Sequence, residues 1–257
     1  MLLTDRHNHI LEILENKGQV TVDELVEVFK VTPQTIRSNL NDLGKANKLI
    51  RVHGGAMSNN KRENVEYESR RKISSSQKVS IGQAAANIIP HKTSLFINIG
   101  TTTEAFSNAI FNHKGLLVIT NNINVANSLR LSKDIEVIIA GGVVRSSDGG
   151  IMGDATVEFI ENFKVDYAII GASAIDPIDG SLLDYDFQEV KVAQAIIEKA
   201  RHVILVADST KFERSAPIRI GHISQVDTFI TDVILDKELR QFCKESNVTI
   251  IETDNNM

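Results

Sequence analysis

The amino-terminal part of the chain shows apolar stripes at helical spacing. Apolar residues within the segment 10–14 predict a first amphipathic helix. Thr21 and Glu24 have the spacing of a capping box, which predicts that a second helix begins after Thr21. Thr32 followed by Pro33 predicts the start of a third helix, because proline fits the first position of a helix. Three short helices in this order indicate a helix-turn-helix.

The third predicted helix has one apolar and one polar face. Ile36, Leu40 and Leu43 recur at intervals of four and three residues, which places them on one buried stripe. The opposite face carries amides and cations, which suit base edges and phosphates; its members are Gln34, Arg37, Ser38, Asn41 and Lys45. Residues 48–55 predict a basic hairpin, so the whole pattern predicts a winged helix-turn-helix.

The charge of this region is distributed unevenly. Residues 1–29 contain two Lys or Arg against six Asp or Glu, whereas residues 30–57 contain five against one. Clustered cations predict a surface for double-stranded DNA. The predicted DNA contacts are Thr32, Gln34, Thr35, Arg37, Ser38, Asn41, Lys45, Arg51 and His53. The alternative for the helical pattern alone is a small bundle whose polar face is merely solvated.

The pattern changes after a polar segment. Residues 58–78 contain few apolar side chains and predict a linker between residues 1–57 and residues 79–257. Beyond it, short apolar runs predict buried strands at 94–99, 116–120, 135–140, 165–170, 203–207 and 228–231, with helices at 104–111 and 187–200 between them. Strands buried on both faces and separated by helices predict an α/β domain with a parallel sheet.

Composition narrows the function classes. The net charge is −5 for 257 residues, so DNA binding must come from the local basic surface, as in a regulator rather than a packaging protein. The single cysteine, Cys243, excludes a disulfide framework, and the seven scattered histidines lack metal-ligand spacing. We therefore expect no metal and no cofactor. No signal peptide and no apolar run of about 20 residues is evident, which predicts a cytoplasmic protein without a membrane partner.

Polar loops follow the predicted strands. Ligands of parallel sheets bind at the carboxyl ends of strands, and glycine or threonine at a helix amino terminus favours a phosphate. Neither a dinucleotide fingerprint nor a P-loop is present, so the loops predict a phosphorylated polyol or sugar instead of a nucleotide. The predicted effector-binding residues are Gly100, Thr101, Thr102, Thr103, Thr120, Asn121, Asn122, Gly141, Gly142, Arg145, Asp148, Gly149, Gly150, Gly153, Asp184 and Lys211.

The whole chain resembles the DeoR family of bacterial repressors. The resemblance is carried by the segments 34–37, 51–56, 100–102, 120–122, 141–142 and 207–212, and within the family by 96–102, 121–127, 145–153 and 179–183, which most resemble members that respond to glycerol 3-phosphate. It implies an effector domain similar to sugar-phosphate isomerases, induction by glycerol 3-phosphate, and a homodimer or homotetramer on operator DNA.

The chain departs from the family pattern in both domains. Ser38 and Asn39 stand where the family usually has arginine and aspartate. Asn98 replaces the usual aspartate before the first phosphate loop, and Ala193 and Gln194 replace a lysine–arginine pair.

Three functions are compatible with the sequence. The leading one is a repressor whose α/β domain senses a phosphorylated metabolite. The second is a sugar-phosphate isomerase fused to a DNA-binding domain, although the neutral amide of Asn98 cannot act as a general base and only Asp148, Asp184 and Glu189 remain as candidates. The third is an architectural DNA-binding protein that senses nothing. The first function predicts no catalytic residues.

Overall fold

The computed structural model describes residues 5–17, 19–46, 48–52, 54–58, 67, 70–234 and 236–253. The chain forms two compact units, one of residues 1–70 with 146–148 and the other of residues 71–145 with 149–257. Each unit has its own hydrophobic core.

The first unit contains three helices and a three-stranded antiparallel sheet. Its elements are α1 (Asp5–Lys17), β1 (Gln19–Thr21), α2 (Val22–Phe29), α3 (Pro33–Lys45), β2 (Leu49–Val52) and β3 (Gly55–Ser58), and the sheet order is β1-β3-β2. The predicted capping box is confirmed: Glu24 N donates to Thr21 Oγ1 at 3.1 Å, and Thr21 N donates to Glu24 Oε2 at 2.8 Å. β1 was not predicted; it converts the hairpin into a sheet.

The core of the first unit explains the orientation of α3. Ile36, Leu40 and Leu43 are fully buried together with Ile10 and Leu25 from the other two helices. This burial fixes the rotation of α3 about its axis, because one apolar stripe must face the core.

The second unit is built around a parallel sheet of seven strands. Its helices are α4 (Ser75–Asn87), α5 (Thr101–Ala109), α6 (Ile123–Leu129), α7 (Asp154–Glu161), α8 (Phe187–Glu198) and α9 (Lys237–Glu245). The sheet strands are β4 (Ser94–Ile97), β5 (Leu116–Thr120), β6 (Ile135–Ile139), β9 (Val165–Ile170), β12 (Ala200–Val206), β14 (Thr228–Thr231) and β15 (Thr249–Glu252). The strand order is β15-β14-β12-β9-β4-β5-β6.

The strand order contains one reversal of direction. From β4 the chain proceeds outward to β5 and β6, and it then returns to place β9 on the other side of β4. The reversal lies between β4 and β9, and this is where ligands of open α/β sheets bind. The predicted parallel α/β class is confirmed, whereas β15 is a seventh strand that the sequence pattern did not reveal.

Short antiparallel strands extend the second unit. They are β7 (Val143–Val144) paired with β8 (Ile151–Met152), and a sheet of β10 (Ala174–Ile175), β11 (Ser181–Asp184) and β13 (Ile218–His222). None of them was predicted; β7, β8 and β10 have two residues each, which is too few to show a pattern.

Helix α4 begins inside the segment predicted as a linker. Its buried face consists of Lys78, Gly82 and small or apolar neighbours, so it lacks the large apolar stripe that marks a helix in a sequence. Gly82 lets α4 approach α5 closely: a Cβ at this position would lie 2.7 Å from Phe106 N. Helix α4 therefore occupies the end of the segment 58–78 that the sequence predicts as a linker.

Candidate functional site

The candidate DNA-binding face lies on α3 of the first unit. Gln34, Arg37, Ser38, Asn41 and Lys45 are all exposed, which confirms the orientation predicted for them. Lys45 ends the helix at its last turn. The face therefore presents amides, a hydroxyl and two cations to solvent, which are the groups that contact bases and phosphates.

Two of the predicted DNA contacts stabilise the start of α3. Thr32 is the N-cap, and its Oγ1 accepts from Thr35 N at 3.3 Å. The Thr32 and Thr35 hydroxyls also lie 2.9 Å apart. Both side chains are thus engaged in capping, which leaves the helix amino terminus oriented rather than free to rearrange.

The wing is connected to α3 through an arginine. Arg51 Nε donates to Asn41 Oδ1 at 3.0 Å, and its guanidinium also donates to Gly55 O. The cation on β2 is therefore held at a fixed position beside the helix. His53, the other predicted contact of the wing, lies outside the described residues.

Asn39 does not belong to the candidate DNA-binding face. Its amide contacts α1, where Arg6 Nη1 donates to Oδ1 at 3.5 Å and His7 Nε2 lies 3.3 Å from Nδ2. Of the two departures from the family pattern on α3, only the one at Ser38 changes the exposed surface.

In the second unit, the loop after β4 leads directly into α5. Gly100 is the N-cap, followed by Thr101, Thr102 and Thr103, and the last two side chains are buried. Thr103 Oγ1 donates to Asn98 O at 2.7 Å and to Gly100 O at 2.8 Å. Its hydroxyl therefore serves the loop, while the first N–H groups of α5 have no partner within the helix and carry the positive end of its dipole.

The loop after β5 is fixed by its own side chains. Thr120 Oγ1 donates to Ile97 O at 2.7 Å. Asn122 Oδ1 caps α6 by accepting from Asn124 N at 2.9 Å, and Asn122 Nδ2 donates to Glu104 Oε1 at 3.2 Å. Asn124 Nδ2 donates to the same carboxylate oxygen at 3.0 Å. Thr120 and Asn122 thus shape the loop, and Glu104, which the sequence did not indicate, is the acceptor that holds it.

Gly142, after β6, allows a close approach of strand β8 and helix α7. Gly141 O accepts from Thr156 Oγ1 at 2.9 Å. Gly142 has φ +148, and a Cβ there would lie 2.1 Å from the same hydroxyl. Gly153 is the N-cap of α7, which carries Thr156. Gly142 is thus explained by packing, whereas a Cβ at Gly141 would meet nothing within 4 Å.

The turn of that hairpin is attached to the loop after β5. Gly149 O accepts from Ile123 N at 3.1 Å, and Gly150 forms an isolated bridge with Asn122. Asp148 belongs instead to the first compact unit, where its carboxylate lies 3.6 Å from the Arg70 guanidinium.

Arg145 lies between two carboxylates of the α8 region. Its Nη2 lies 2.7 Å from Glu189 Oε2, and its Nη1 lies 3.3 Å from Asp186 Oδ2. Asp184, at the end of β11, accepts from the backbone N–H groups of Tyr185 and Asp186 at 2.6 Å and 3.4 Å. The structure therefore places Arg145 beside the segment 184–189, which contains Asp184. Both side chains are bonded to groups of the protein itself.

The loop after β12 contains a buried ion pair that the sequence did not reveal. Asp208 Oδ2 lies 3.9 Å from Lys78 Nζ, and both side chains are buried. Lys78 also donates to Ile73 O at 2.6 Å. Lys211 follows in a 3₁₀ turn, Ser209–Glu213, and is buried as well. Two lysines therefore lie near the carboxyl edge of the sheet, where sequence reasoning had placed one.

Two buried amide oxygens in these loops accept no hydrogen bond from any of the described residues. They are Asn98 Oδ1, after β4, and Asn121 Oδ1, after β5. Asn121 Nδ2 does donate, to Ile151 O at 3.1 Å. Buried acceptors without a donor are rare in native proteins, so these two atoms require an explanation.

The structure also places the departures on α8. Ala193 is buried in the core beneath the sheet, and Gln194 Nε2 donates to Ile220 O at 3.1 Å. Lys191 contacts Asp154 at 3.3 Å and lies over the Phe187 ring at 5.2 Å. Lys191 therefore serves a different face of the helix and does not replace the missing pair.

Within the described part of the chain, no group of three His, Cys, Asp or Glu side chains is arranged to hold a metal ion. None of the helices described there is both long and apolar enough to span a membrane.

Comparisons with known proteins cover nearly the whole chain. Residues 6–62 match the DeoR-like helix-turn-helix domain, and residues 73–233 match the DeoR C terminal sensor domain. The glycerol-3-phosphate regulon repressor of Escherichia coli (strain K12) is 47% identical over 90% of this chain and 92% of its own. The repressor of the same name from Haemophilus influenzae is 47% identical over 88% of each chain. The HTH-type transcriptional repressor CsqR of Escherichia coli is 34% identical over 96% of this chain and 94% of its own.

Likeness to solved structures is weaker. Ribose 5-phosphate isomerase from Plasmodium falciparum superposes with a TM-score of 0.40 and 14% identity, over 53% of this chain and 52% of that one. A likeness at this level says nothing about activity. The two domain matches and the full-length relatives are decisive: the chain belongs to the DeoR family, as a repressor with a helix-turn-helix domain and a carboxy-terminal sensor domain.

Proposed function

We propose that this repressor binds operator DNA through the exposed face of α3 and the wing, and that glycerol 3-phosphate, bound in the sensor domain, releases it. The observation that supports the effector site is the position of the amino terminus of α5 in the sheet. It lies at the reversal point of the parallel sheet, and Lys211 follows strand β12 of the same sheet in a 3₁₀ turn. Backbone donors, the helix dipole and lysine are the groups that bind phosphate.

The choice of glycerol 3-phosphate follows from the relatives. Two repressors that share 47% identity with this chain are named for the glycerol-3-phosphate regulon. In the proposed site, the phosphate lies at Gly100–Thr103, and the loops after β5, β6 and β12 enclose the rest of the molecule. The operator partner is double-stranded DNA, and we infer a homodimer or homotetramer, which would bind two operator half-sites.

We further infer that the chain is a sensor and not an isomerase. A general base must be available to the substrate, but Glu189 is paired with Arg145 at 2.7 Å. Asp184 accepts two backbone hydrogen bonds, the Asp148 carboxylate lies 3.6 Å from the Arg70 guanidinium, and residue 98 is a neutral amide. These contacts support binding without turnover.

Thermal unfolding of the full-length protein tests the effector. Glycerol 3-phosphate should raise the Tm, since a ligand present at about 100 times its Kd stabilises a protein by about 2.7 kcal/mol. Glycerol and inorganic phosphate, tested separately at the same concentration, each lack half of the recognised groups and should shift the Tm far less. No shift with glycerol 3-phosphate would contradict the proposal, and equal shifts with inorganic phosphate would show that only the phosphate is recognised.

A further inference from the structure

The inference begins with the two buried amide oxygens in the loops after β4 and β5. Asn98 is 2% exposed and Asn121 is 1% exposed, and neither Oδ1 atom accepts a hydrogen bond within the described residues. A buried polar atom without a partner destabilises the fold, because it has lost the hydrogen bonds that it would make with water. Two such atoms in adjacent loops indicate that both serve something other than the stability of the fold.

The strand register assigns the two side chains to neighbouring strands and to one face of the sheet. β4 and β5 are paired in parallel, and Asn98 and Asn121 each follow the last paired residue of their strand. Neighbouring strands are about 4.8 Å apart. Phe96 and Ile119, two residues earlier, belong to the same hydrophobic cluster, so alternation places both asparagines on that same face.

Other polar side chains of these loops are satisfied within the protein. The Thr103 and Thr120 hydroxyls donate to backbone carbonyls, and the Asn122 amide uses both of its ends, toward Glu104 and Asn124. The unpaired oxygens are therefore a local feature of positions 98 and 121. An amide oxygen only accepts, so the missing partner must be a donor.

We propose that Asn98 and Asn121 accept hydrogen bonds from hydroxyl groups of the effector, and so select a polyol phosphate over a phosphate ester without hydroxyls. This inference rests on the proposed function, which places the phosphate at the amino terminus of α5, three residues after Asn98. An effector hydroxyl that hydrogen-bonds to these buried amide oxygens is itself removed from water. Sites of this kind discriminate strongly against a ligand that lacks the donor, because the polar groups of the site then stay unpaired.

The test compares two ligands with the same three carbons and the same phosphate. Glycerol 3-phosphate carries two hydroxyls, whereas n-propyl phosphate carries none. Calorimetric titration of the full-length protein should show that the wild type prefers glycerol 3-phosphate. Asn98→Leu keeps the approximate size of the side chain and removes the acceptor. It should therefore weaken the binding of glycerol 3-phosphate about five- to tenfold and leave the affinity for n-propyl phosphate unchanged. Asn121→Leu should weaken glycerol 3-phosphate as well.

A stability measurement separates this role from a structural one. Asn98→Leu removes an oxygen that has no partner, so its Tm should equal or exceed that of the wild type. Asn122→Leu is the matched control, because the amide of Asn122 is equally buried but fully bonded. Its Tm should fall by several degrees, because this variant breaks hydrogen bonds that the wild type makes.

The outcomes distinguish the inference from the proposed function. If Asn98→Leu lowers the affinity for both ligands equally, or changes neither affinity, then hydroxyl recognition at residue 98 is wrong, while the proposed phosphate site remains. A large fall in the Tm of Asn98→Leu would also overturn the inference, because the amide would then be structural. If the wild type binds neither ligand, the proposed function fails, and hydroxyl recognition fails with it.

Discussion

Replacing Thr102 with glutamate would put a carboxylate where the phosphate of the effector is proposed to bind. Thr102 is the second residue of α5 and is 5% exposed. A negative side chain in the first turn of a helix is itself favourable by about 0.3 to 1 kcal/mol, because it meets the positive end of the helix dipole. Because a larger charged side chain at a buried position also costs free energy, DNA binding by Thr102→Glu is the control that shows that the variant has folded.

The effect on the effector should be much larger than the effect on the fold. Two unit charges about 4 Å apart repel by about 4 kcal/mol at an effective dielectric constant of about 20. Since each 1.4 kcal/mol is tenfold in affinity, the carboxylate of Thr102→Glu should weaken phosphate binding by about 1,000-fold. Thr102→Gln is the matched control, because glutamine has the same length and no charge.

The assay is fluorescence anisotropy with a DNA fragment selected by the full-length protein from a random library. Glycerol 3-phosphate should release the wild type and Thr102→Gln at similar concentrations, within about tenfold. Thr102→Glu should stay bound at concentrations that release both. Release of the glutamate and glutamine variants at the same concentration would refute the placement of the phosphate at α5.

Three further changes test separate parts of the structure. Ser38→Arg adds a cation to the exposed face of α3. If the new arginine contacts a phosphate, the slope of log affinity against log salt should steepen by about 0.9, and if it contacts a base, affinity should rise only on operators with a matching guanine. No change in either quantity would contradict the placement of α3 in the DNA groove. Lys78→Met leaves the Asp208 carboxylate buried without its ion-pair partner, so the free energy of unfolding measured in urea should fall by about 3 to 5 kcal/mol. Adding Asp208→Asn should restore part of this loss, and a loss under about 1 kcal/mol would contradict a stabilising ion pair. Burial raises the pKa of the Cys243 thiol to about 11, so a thiol reagent at pH 8 should react only after unfolding; rapid reaction of the native protein would contradict it.

The fold could be predicted where the sequence carries a long or strongly periodic signal. The stripe of Ile36, Leu40 and Leu43 fixed both the existence and the rotation of α3, and the buried runs at Val165–Ile170 and Thr228–Thr231 match β9 and β14 residue for residue. Helix α4 could not be found in this way. It packs through a glycine and a buried lysine, and neither residue type marks an apolar face.

The candidate site was predictable at the level of loops but not of individual bonds. Strand ends in a parallel sheet share one edge, so the polar residues after β4, β5 and β12 could be grouped from sequence alone. Which of them are free to bind depends on neighbours distant in the chain. Asn122 is engaged by Glu104 and Arg145 by Glu189, whereas Asn98 Oδ1 has no partner among the described residues. Only the folded chain shows that the departure at Asn98 leaves an acceptor without a donor.

Reciprocal titration of the full-length protein with DNA and glycerol 3-phosphate tests the central claim most directly. If the sensor domain controls DNA release, saturating glycerol 3-phosphate must weaken DNA binding, and saturating DNA must weaken glycerol 3-phosphate binding by the same factor. We predict a factor of at least about 5, the lower end of typical allosteric coupling. Tight binding of both ligands with no change in either affinity would contradict the account.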